Sequence, residues 1–374
     1  MPATGHHEPL PVAVLVGSLG IGGSERQMYM FLKACDRTRW TPFVFHGDDG
    51  ERHWHDPIRA LGIEVTELRG SPARKFLTLR RHLARLDPAA FVSWSSWTNP
   101  YAWTLLGLGI PAVGSYRNAL FADLTPRLRS LQAWAGAVRL HTLIANSAET
   151  ASALETRTRG RVLLVPNAVE QPAAPETARS KWRRRLCCTD EQFLVLGIGR
   201  LAPQKNYYRF IDTIALAAPK VATLRAVVLG PDIHGLQGDL ERYARVKGLS
   251  TSVFEFAGAV PAADEVVCAA DLLLLTSDYE GMPNVVLEAM AAGVASVTTR
   301  VNGVTSILTD GQEGFVVEHE PHALADAVIR VAHDPDLRRA MGQRARLRAT
   351  DGSSPRAVYE PLWEMLPIRN GVRR

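Results

Sequence analysis

Glu280 and Glu288 are separated by seven residues in the stretch DLLLLTSDYEGMPNVVLEAMAAGVASV, 271–297. A carboxylate inside a helix, as Glu288 would be, can accept two hydrogen bonds from a vicinal diol such as ribose. The start of that helix, around Met282, Pro283, Asn284 and Val285, offers unpaired N–H groups and a positive dipole end, which suit a phosphate. The ordinary alternative for any single Glu is a solvated surface position. Against it, the neighbours Val285, Val286, Leu287, Ala289, Met290 and Ala291 make the helix apolar all round. A helix that reads as buried while holding one Glu needs a partner for that charge.

The flanking elements place these acids. Leu272–Leu275 has the length of a buried strand, Thr276–Pro283 is a polar loop, and a helical pattern runs from about Asn284 to Gly293. Val294–Thr298 reads as the next buried strand. Both acids therefore lie at the C-terminal edge of a parallel strand, where open α/β sheets bind ligands.

EGMPNVVLEAMAAG resembles the Glu-x7-Glu signature of retaining nucleotide-sugar glycosyltransferases, specifically glycosyltransferase family 4. The resemblance implies an α/β GT-B fold: two Rossmann-like domains facing across a cleft, with a C-terminal helix crossing back to the first domain. It covers nearly the whole chain, strongest from 193 to 316 and weakest from 40 to 140, where relatives usually recognise acceptors. GRLAPQKN (199–206) is similar to the family's GRL-x3-K motif and implies that Arg200 and Lys205 stabilise a leaving diphosphate. Cations suit that task because the diphosphate gains negative charge as the glycosidic bond breaks. By the same resemblance Glu288 holds the ribose hydroxyls and Glu280 meets the sugar. Gly199 and the helix start at 282–285 belong to the donor site, and Gly258–Val260 line the base pocket. The family's GG-x-E/R turn, which faces donor and acceptor, corresponds to Gly22, Gly23, Glu25 and Arg26, and implies that Gly22 and Gly23 bind the donor and that Glu25 is a candidate contact to donor or acceptor; read on its own, this turn is equally a tight structural one. At Ser115-Tyr116-Arg117-Asn118 many relatives carry a His, whose role does not transfer. Arg117 and Asn118 are the candidates there for contact with donor or acceptor. Pro166-Asn167-Ala168 has Ala where the family usually has Gly.

Short apolar runs alternate with helical patterns through both halves, arguing parallel sheets. Arg74–Leu86 reads as an amphipathic helix with a cationic face. The Trp94–Trp103 run is either core and cleft wall or a sugar platform. EQPAAPETARS (170–180) marks a linker, dividing the chain into residues 1–170, 171–355 and a terminal helix, 356–374. Asp310–Phe315 reads as turn. Asp334-Pro335-Asp336 matches a metal-binding Asp-x-Asp pattern but stands where a helix opens, so it reads as a cap, and no metal or other cofactor is expected.

The 374 residues are 46% hydrophobic, with net charge +5 and four cysteines that show no metal spacing. No apolar run approaches the ~20 residues of a membrane span. MPATGHHEPLP has no signal-peptide core. These features predict a reducing, cytoplasmic setting. The basic patches, including Arg80–Arg81, Lys181–Arg185 and Arg373–Arg374, lack any nucleic-acid signature. They read as solvated surface or as a peripheral attachment to an anionic inner membrane face. The expected partners are a UDP- or GDP-linked sugar and a lipid-linked or other glycan acceptor. Rival readings are a nucleotide-sugar-binding regulatory subunit without activity, and a GT-B epimerase.

Overall fold

A computed structural model describes residues 8–47, 50, 52–118, 139–158, 160–260 and 263–369. The N-terminal MPATGHH and the Arg373–Arg374 tail lie outside them, as does the end of the 356–374 segment. The chain divides into two compact units: residues 1–168 with 355–374, and residues 169–354.

The first unit runs β1 (Leu10–Val16), α1 (Gly23–Lys33), β2 (Trp40–Gly47), α2 (His55–Ala60), β3 (Glu64–Leu68), α3 (Pro72–Leu86), β4 (Ala90–Ser93), β5 (Ala112–Tyr116), β6 (Thr142–Ala145), α4 (Ala148–Glu155) and β7 (Arg161–Leu164). Its strands are parallel in the order β3-β2-β1-β4-β5-β6-β7. β4, β5 and β6 are buried throughout, which is why they read as continuous apolar runs rather than alternating ones. Ser147 caps α4, accepting a hydrogen bond from the Thr150 amide.

The second unit continues with α5 (Pro175–Arg185), β8 (Phe193–Ile198), α6 (Tyr207–Ala217), β9 (Leu224–Leu229), α7 (Gln237–Val246), β10 (Phe254–Phe256), α8 (Ala263–Val266), β11 (Leu272–Leu275) and α9 (Asn284–Ala292). It closes with β12 (Ala295–Thr299), α10 (Val304–Ile307), β13 (Gly314–Val317), α11 (Pro321–His333) and α12 (Pro335–Thr350). Its parallel sheet has the order β10-β9-β8-β11-β12-β13.

The last helix, α13 (Pro355–Met365), packs into the first unit. Trp363 stacks on Phe31 of α1 with ring centroids 4.2 Å apart and planes 2° from parallel. Its Nε1 donates to the Phe31 carbonyl at 2.8 Å. Tyr359 donates to Gln27 Oε1 at 2.5 Å. Gln27 in turn grips both backbone groups of Ala168, donating to the carbonyl at 2.9 Å and accepting from the amide at 2.8 Å.

Several expectations are corrected. The Trp-rich run lies mostly in a 3-10 helix, Ser96–Leu105, with Pro100 inside it; proline lacks the N–H an α-helix would need there. The linker is shorter than 170–180, because α5 already begins at Pro175. Arg183, placed in a surface patch with Lys181 and Arg185, is only 2% exposed. It and Arg179 both pair with Asp271, at 3.1 and 2.8 Å, and Arg183 also donates to the Ala269 and Gln192 carbonyls. A buried guanidinium persists only when so satisfied. Residues read as turn up to Phe315 open the edge strand β13, paired to β12. Asp334 caps α12, accepting from the Leu337 amide at 2.8 Å.

Candidate active site

In the second sheet the strand order reverses between β8 and β11. A crevice opens outside the carboxyl ends of strands at such a reversal. The loop after β8 brings Gly199, Arg200 and Lys205 there; the loop after β11 brings residues 276–283. The two loops are laced together. Thr276 Oγ1 donates to the Lys205 and Asn206 carbonyls at 3.0 and 3.2 Å. Arg209 donates to the Thr276 carbonyl and to Asp278, at 2.7 and 2.8 Å.

Glu280 is 8% exposed. Its Oε1 accepts from Lys205 Nζ at 2.6 Å and from Ser277 Oγ at 2.7 Å, and Gln204 donates to Oε2 at 3.4 Å. The two residues singled out for diphosphate and sugar are thus ion-paired with each other. Tyr207 donates to the Gly199 carbonyl at 2.9 Å. Burial, and then the Glu280 charge, push its phenol above the usual range, so it stays protonated. Arg200 is exposed and, among the described residues, pairs with no carboxylate.

α9 begins at Asn284 behind Pro283, with Met282 and Val285 buried. Glu288 is 7% exposed among apolar helix neighbours, so the solvated-surface alternative fails for it. α9 ends at Gly293, whose φ of +75° supplies the left-handed turn. A Cβ on Gly342 of α12 would stand 2.0 Å from the Gly293 carbonyl, so the helices meet backbone to backbone and fix α9 on the sheet. Gly258 lies in the loop after β10, its carbonyl accepting from the Gly230 amide at 2.8 Å.

Sequence reasoning missed Gln204, Ser277, Arg209 and Gly303. A Cβ on Gly303 would lie 2.2 Å from the Gly281 carbonyl and 2.9 Å from Met282 Cα. Only its glycine identity signalled this close approach.

In the first unit Gly22 caps α1 and Gly23 opens it. A Cβ on Gly22 would meet Glu25 Oε2 at 2.1 Å, so the carboxylate folds back over this turn. Arg117 is engaged by its own unit. Its guanidinium lies 4.4 Å from the Trp94 ring centre and 5.8 Å from that of Tyr359. It donates to Ser115 Oγ at 3.0 Å and to Asn167 Oδ1 at 3.2 Å. Asn118 follows it, half-buried. Trp94 is core, whereas Trp97 is 44% exposed.

Residues 178–348 match the family model for glycosyl transferases group 1, and residues 21–171 match that for glycosyltransferase family 4. The chain belongs to the family 4 glycosyltransferases. Among curated members, the alpha-D-kanosaminyltransferase of Streptomyces kanamyceticus is 31% identical over 179 residues, 46% of this chain and 45% of that protein. The D-inositol 3-phosphate glycosyltransferase of Streptomyces avermitilis is 29% identical over 223 residues, 55% of this chain and 47% of that one. The chain thus spans about half the length of the curated relatives it matches. Solved GT-B structures share the fold over nearly its full extent. Anabaena HepE in complex with UDP and glucose superposes with TM-score 0.82 at 19% identity, covering 95% of this chain and 98% of that one. WaaG, a glycosyltransferase of lipopolysaccharide biosynthesis, gives 0.75 at 18%, covering 96% and 100%. Within this family 4 member, the loop and helix carrying Glu280 and Glu288 lie inside the group 1 match.

Proposed function

We propose that this family 4 member is a retaining glycosyltransferase that moves a hexosyl unit from a nucleotide sugar to a glycan acceptor. The observation that carries the reading is Glu288, a carboxylate buried in an apolar helix at the point of strand-order reversal. The two oxygens of such a carboxylate can accept hydrogen bonds from both hydroxyls of a ribose diol, and the carboxyl edge of the sheet is where such a ligand binds. Arg200 and Lys205 face the diphosphate, aided by amides at the start of α9. Glu280, held by Ser277 and Gln204, meets the sugar. The C1–O bond to phosphate breaks while the acceptor oxygen bonds C1 on the same face, and the acceptor proton passes to the departing phosphate oxygen. The donor base is uridine or guanosine; HepE in complex with UDP-glucose, which superposes with TM-score 0.83, supports a uridine donor. The acceptor is a lipid-linked glycan met at an anionic membrane surface, a reading supported by the exposed cations of α3. No helix among the described residues is long and apolar enough to cross a membrane.

A thermal-shift screen against UDP, GDP and their sugars tests the donor site, with Glu288→Ala alongside. Ligand at about 100 times its dissociation constant adds about 2.7 kcal/mol of stability. One nucleotide raising the midpoint of the wild type but not of the variant is expected. An equal shift in both, or no shift from any nucleotide, rejects Glu288 as the ribose ligand.

A further inference from the structure

Among the described residues three side chains donate to the Glu280 carboxylate. Oε1 takes Lys205 Nζ at 2.6 Å and Ser277 Oγ at 2.7 Å. A carboxylate oxygen has about two acceptor positions, so Oε1 is filled. Oε2 takes only Gln204 Nε2, at 3.4 Å, and has one position left.

The two members of the ion pair are held very differently. Ser277 is fully buried, and its carbonyl accepts from Thr299 Oγ1 at 2.7 Å. Gln204 binds the same loop twice more: Nε2 donates to the Tyr279 carbonyl at 2.8 Å, and the Gln204 carbonyl accepts from the Asp278 amide at 2.8 Å. Glu280 therefore has a fixed place that does not depend on Lys205. Lys205 is fixed at its backbone, where the carbonyl accepts from Thr276 Oγ1 at 3.0 Å. Its ammonium sits at the end of a flexible four-carbon stem. That stem passes over bare Gly199, with Cε 3.0 Å and Cδ 3.4 Å from where a Cβ of that glycine would stand. Glu280 is the one carboxylate its ammonium meets among the described residues.

A nucleotide sugar asks different things of the two. The diphosphate attracts the ammonium, and the sugar hydroxyls need acceptor positions on the carboxylate. While Lys205 occupies Oε1, the carboxylate has room for one hydroxyl and not for two.

We infer that the Lys205–Glu280 pair selects a nucleotide sugar over the bare nucleoside diphosphate by exchanging partners. The diphosphate draws the ammonium off Glu280, and a sugar hydroxyl donates to Oε1 in its place. Both charged groups stay hydrogen-bonded. A bare diphosphate draws Lys205 away just as well but offers Glu280 nothing. It leaves a carboxylate that is 8% exposed without its cation, and so binds at a disadvantage. The same disadvantage hastens departure of the nucleotide once its sugar has been transferred. This inference rests on the donor reading above and adds to it a preference for substrate over product.

The test is calorimetry on the full chain with UDP, UDP-glucose, UDP-N-acetylglucosamine, GDP and GDP-mannose. The wild type is expected to bind at least one sugar form about tenfold more tightly than the matching bare nucleotide. Glu280→Gln keeps the shape and removes the charge that competes for Lys205. It is expected to bind the bare nucleotide about tenfold more tightly than the wild type does, and to lose the preference for the sugar form. Lys205→Met separates exchange of partners from plain repulsion between Glu280 and phosphate. In that background Glu280→Gln is expected to change bare-nucleotide affinity by less than about twofold. A wild type that binds bare nucleotide as tightly as every sugar form overturns the inference. So does a Glu280→Gln variant with unchanged or weaker bare-nucleotide binding, which would show one ammonium serving carboxylate and phosphate together. So does a tenfold gain that persists in Lys205→Met. Should Glu280→Gln fail to fold, the wild-type comparison decides alone. All three overturning outcomes leave nucleotide binding, and hence the donor reading, standing. Binding of no nucleotide by either the wild type or Glu280→Gln brings down the donor reading and the inference with it.

Discussion

Lys205 and Glu280 are 17% and 10% exposed at their side chains and 2.6 Å apart. Breaking such a pair by removing one member leaves the other buried and uncompensated, at a cost of about 3–5 kcal/mol. Each therefore supports the other's geometry as well as its proposed substrate contact, and substitution of either disturbs both tasks. Cys35 illustrates a residue whose titration bears on stability. Burial pushes its thiol from 9.0 up to about 12. The unfolded thiol ionises from pH 9.0 upward while the folded one stays protonated, so the unfolded state gains. Stability of the first unit is expected to fall as pH rises from about 9 to about 12, and Cys35→Ala to flatten that fall in denaturant melts. Buried Tyr359, also raised, acts in the same direction and sets a residual slope. An unchanged slope in Cys35→Ala would refute the assignment. At this scale the sequence made Glu280 and Glu288 legible through their spacing and the apolar helix around one of them. It could not make Ser277 or Gln204 legible as partners of Glu280: a serine before an acid is ordinary, and Gln204 lies 76 residues away.

α3 shows how one helix divides its labour. Leu79 and Leu83 are buried beneath it, and Ser71 caps its start. Arg80, read as part of a cationic face, donates to the Thr104 and Leu106 carbonyls at 2.6 and 2.8 Å and is a structural group. Arg81 and Leu77 are exposed, Leu77 at 53%. A basic residue near an anionic lipid surface contributes about 1 kcal/mol. Arg81→Glu with Leu77→Asp is expected to lower sedimentation with anionic vesicles by about tenfold, without moving the melting midpoint. Arg80→Glu is expected to lower the midpoint. Equal vesicle binding by the Arg81 and Leu77 variant would reject α3 as the membrane face. Periodicity revealed the buried stripe of α3 because packing imposes it along contiguous residues. It could not separate Arg80 from Arg81, since the carbonyls that claim Arg80 come from a distant 3-10 helix.

At the scale of the whole chain, the second unit is continuous and the first is not: residues 169–354 interrupt it. Removal of everything after Ser354 deletes Tyr359 and Trp363, fully buried partners of Gln27 and Phe31. Loss of one large buried aromatic costs about 3–5 kcal/mol, and loss of two approaches the whole stability of a domain. The truncated chain is expected to lose hydrogen-exchange protection in β1, β2 and β4 while residues 169–354 keep theirs. Protection retained in β1 would show that the first unit stands without α13. The alternation of strands and helices made both sheets legible. The return of α13 followed from family resemblance, because an amphipathic helix carries no mark of which distant surface it covers.

That interruption also has a consequence for synthesis. The helix that completes the first unit leaves the ribosome only after all of residues 169–354. At ~5–20 residues per second this delay is on the order of 10–40 s. Throughout it, the faces of Phe31 and Trp40 that will meet Trp363 stay bare on the nascent chain. The middle of the polypeptide can reach its native state while the beginning waits for the end. The first unit, though translated first, is thus the one that needs a chaperone's shelter, and the second is the natural first folder.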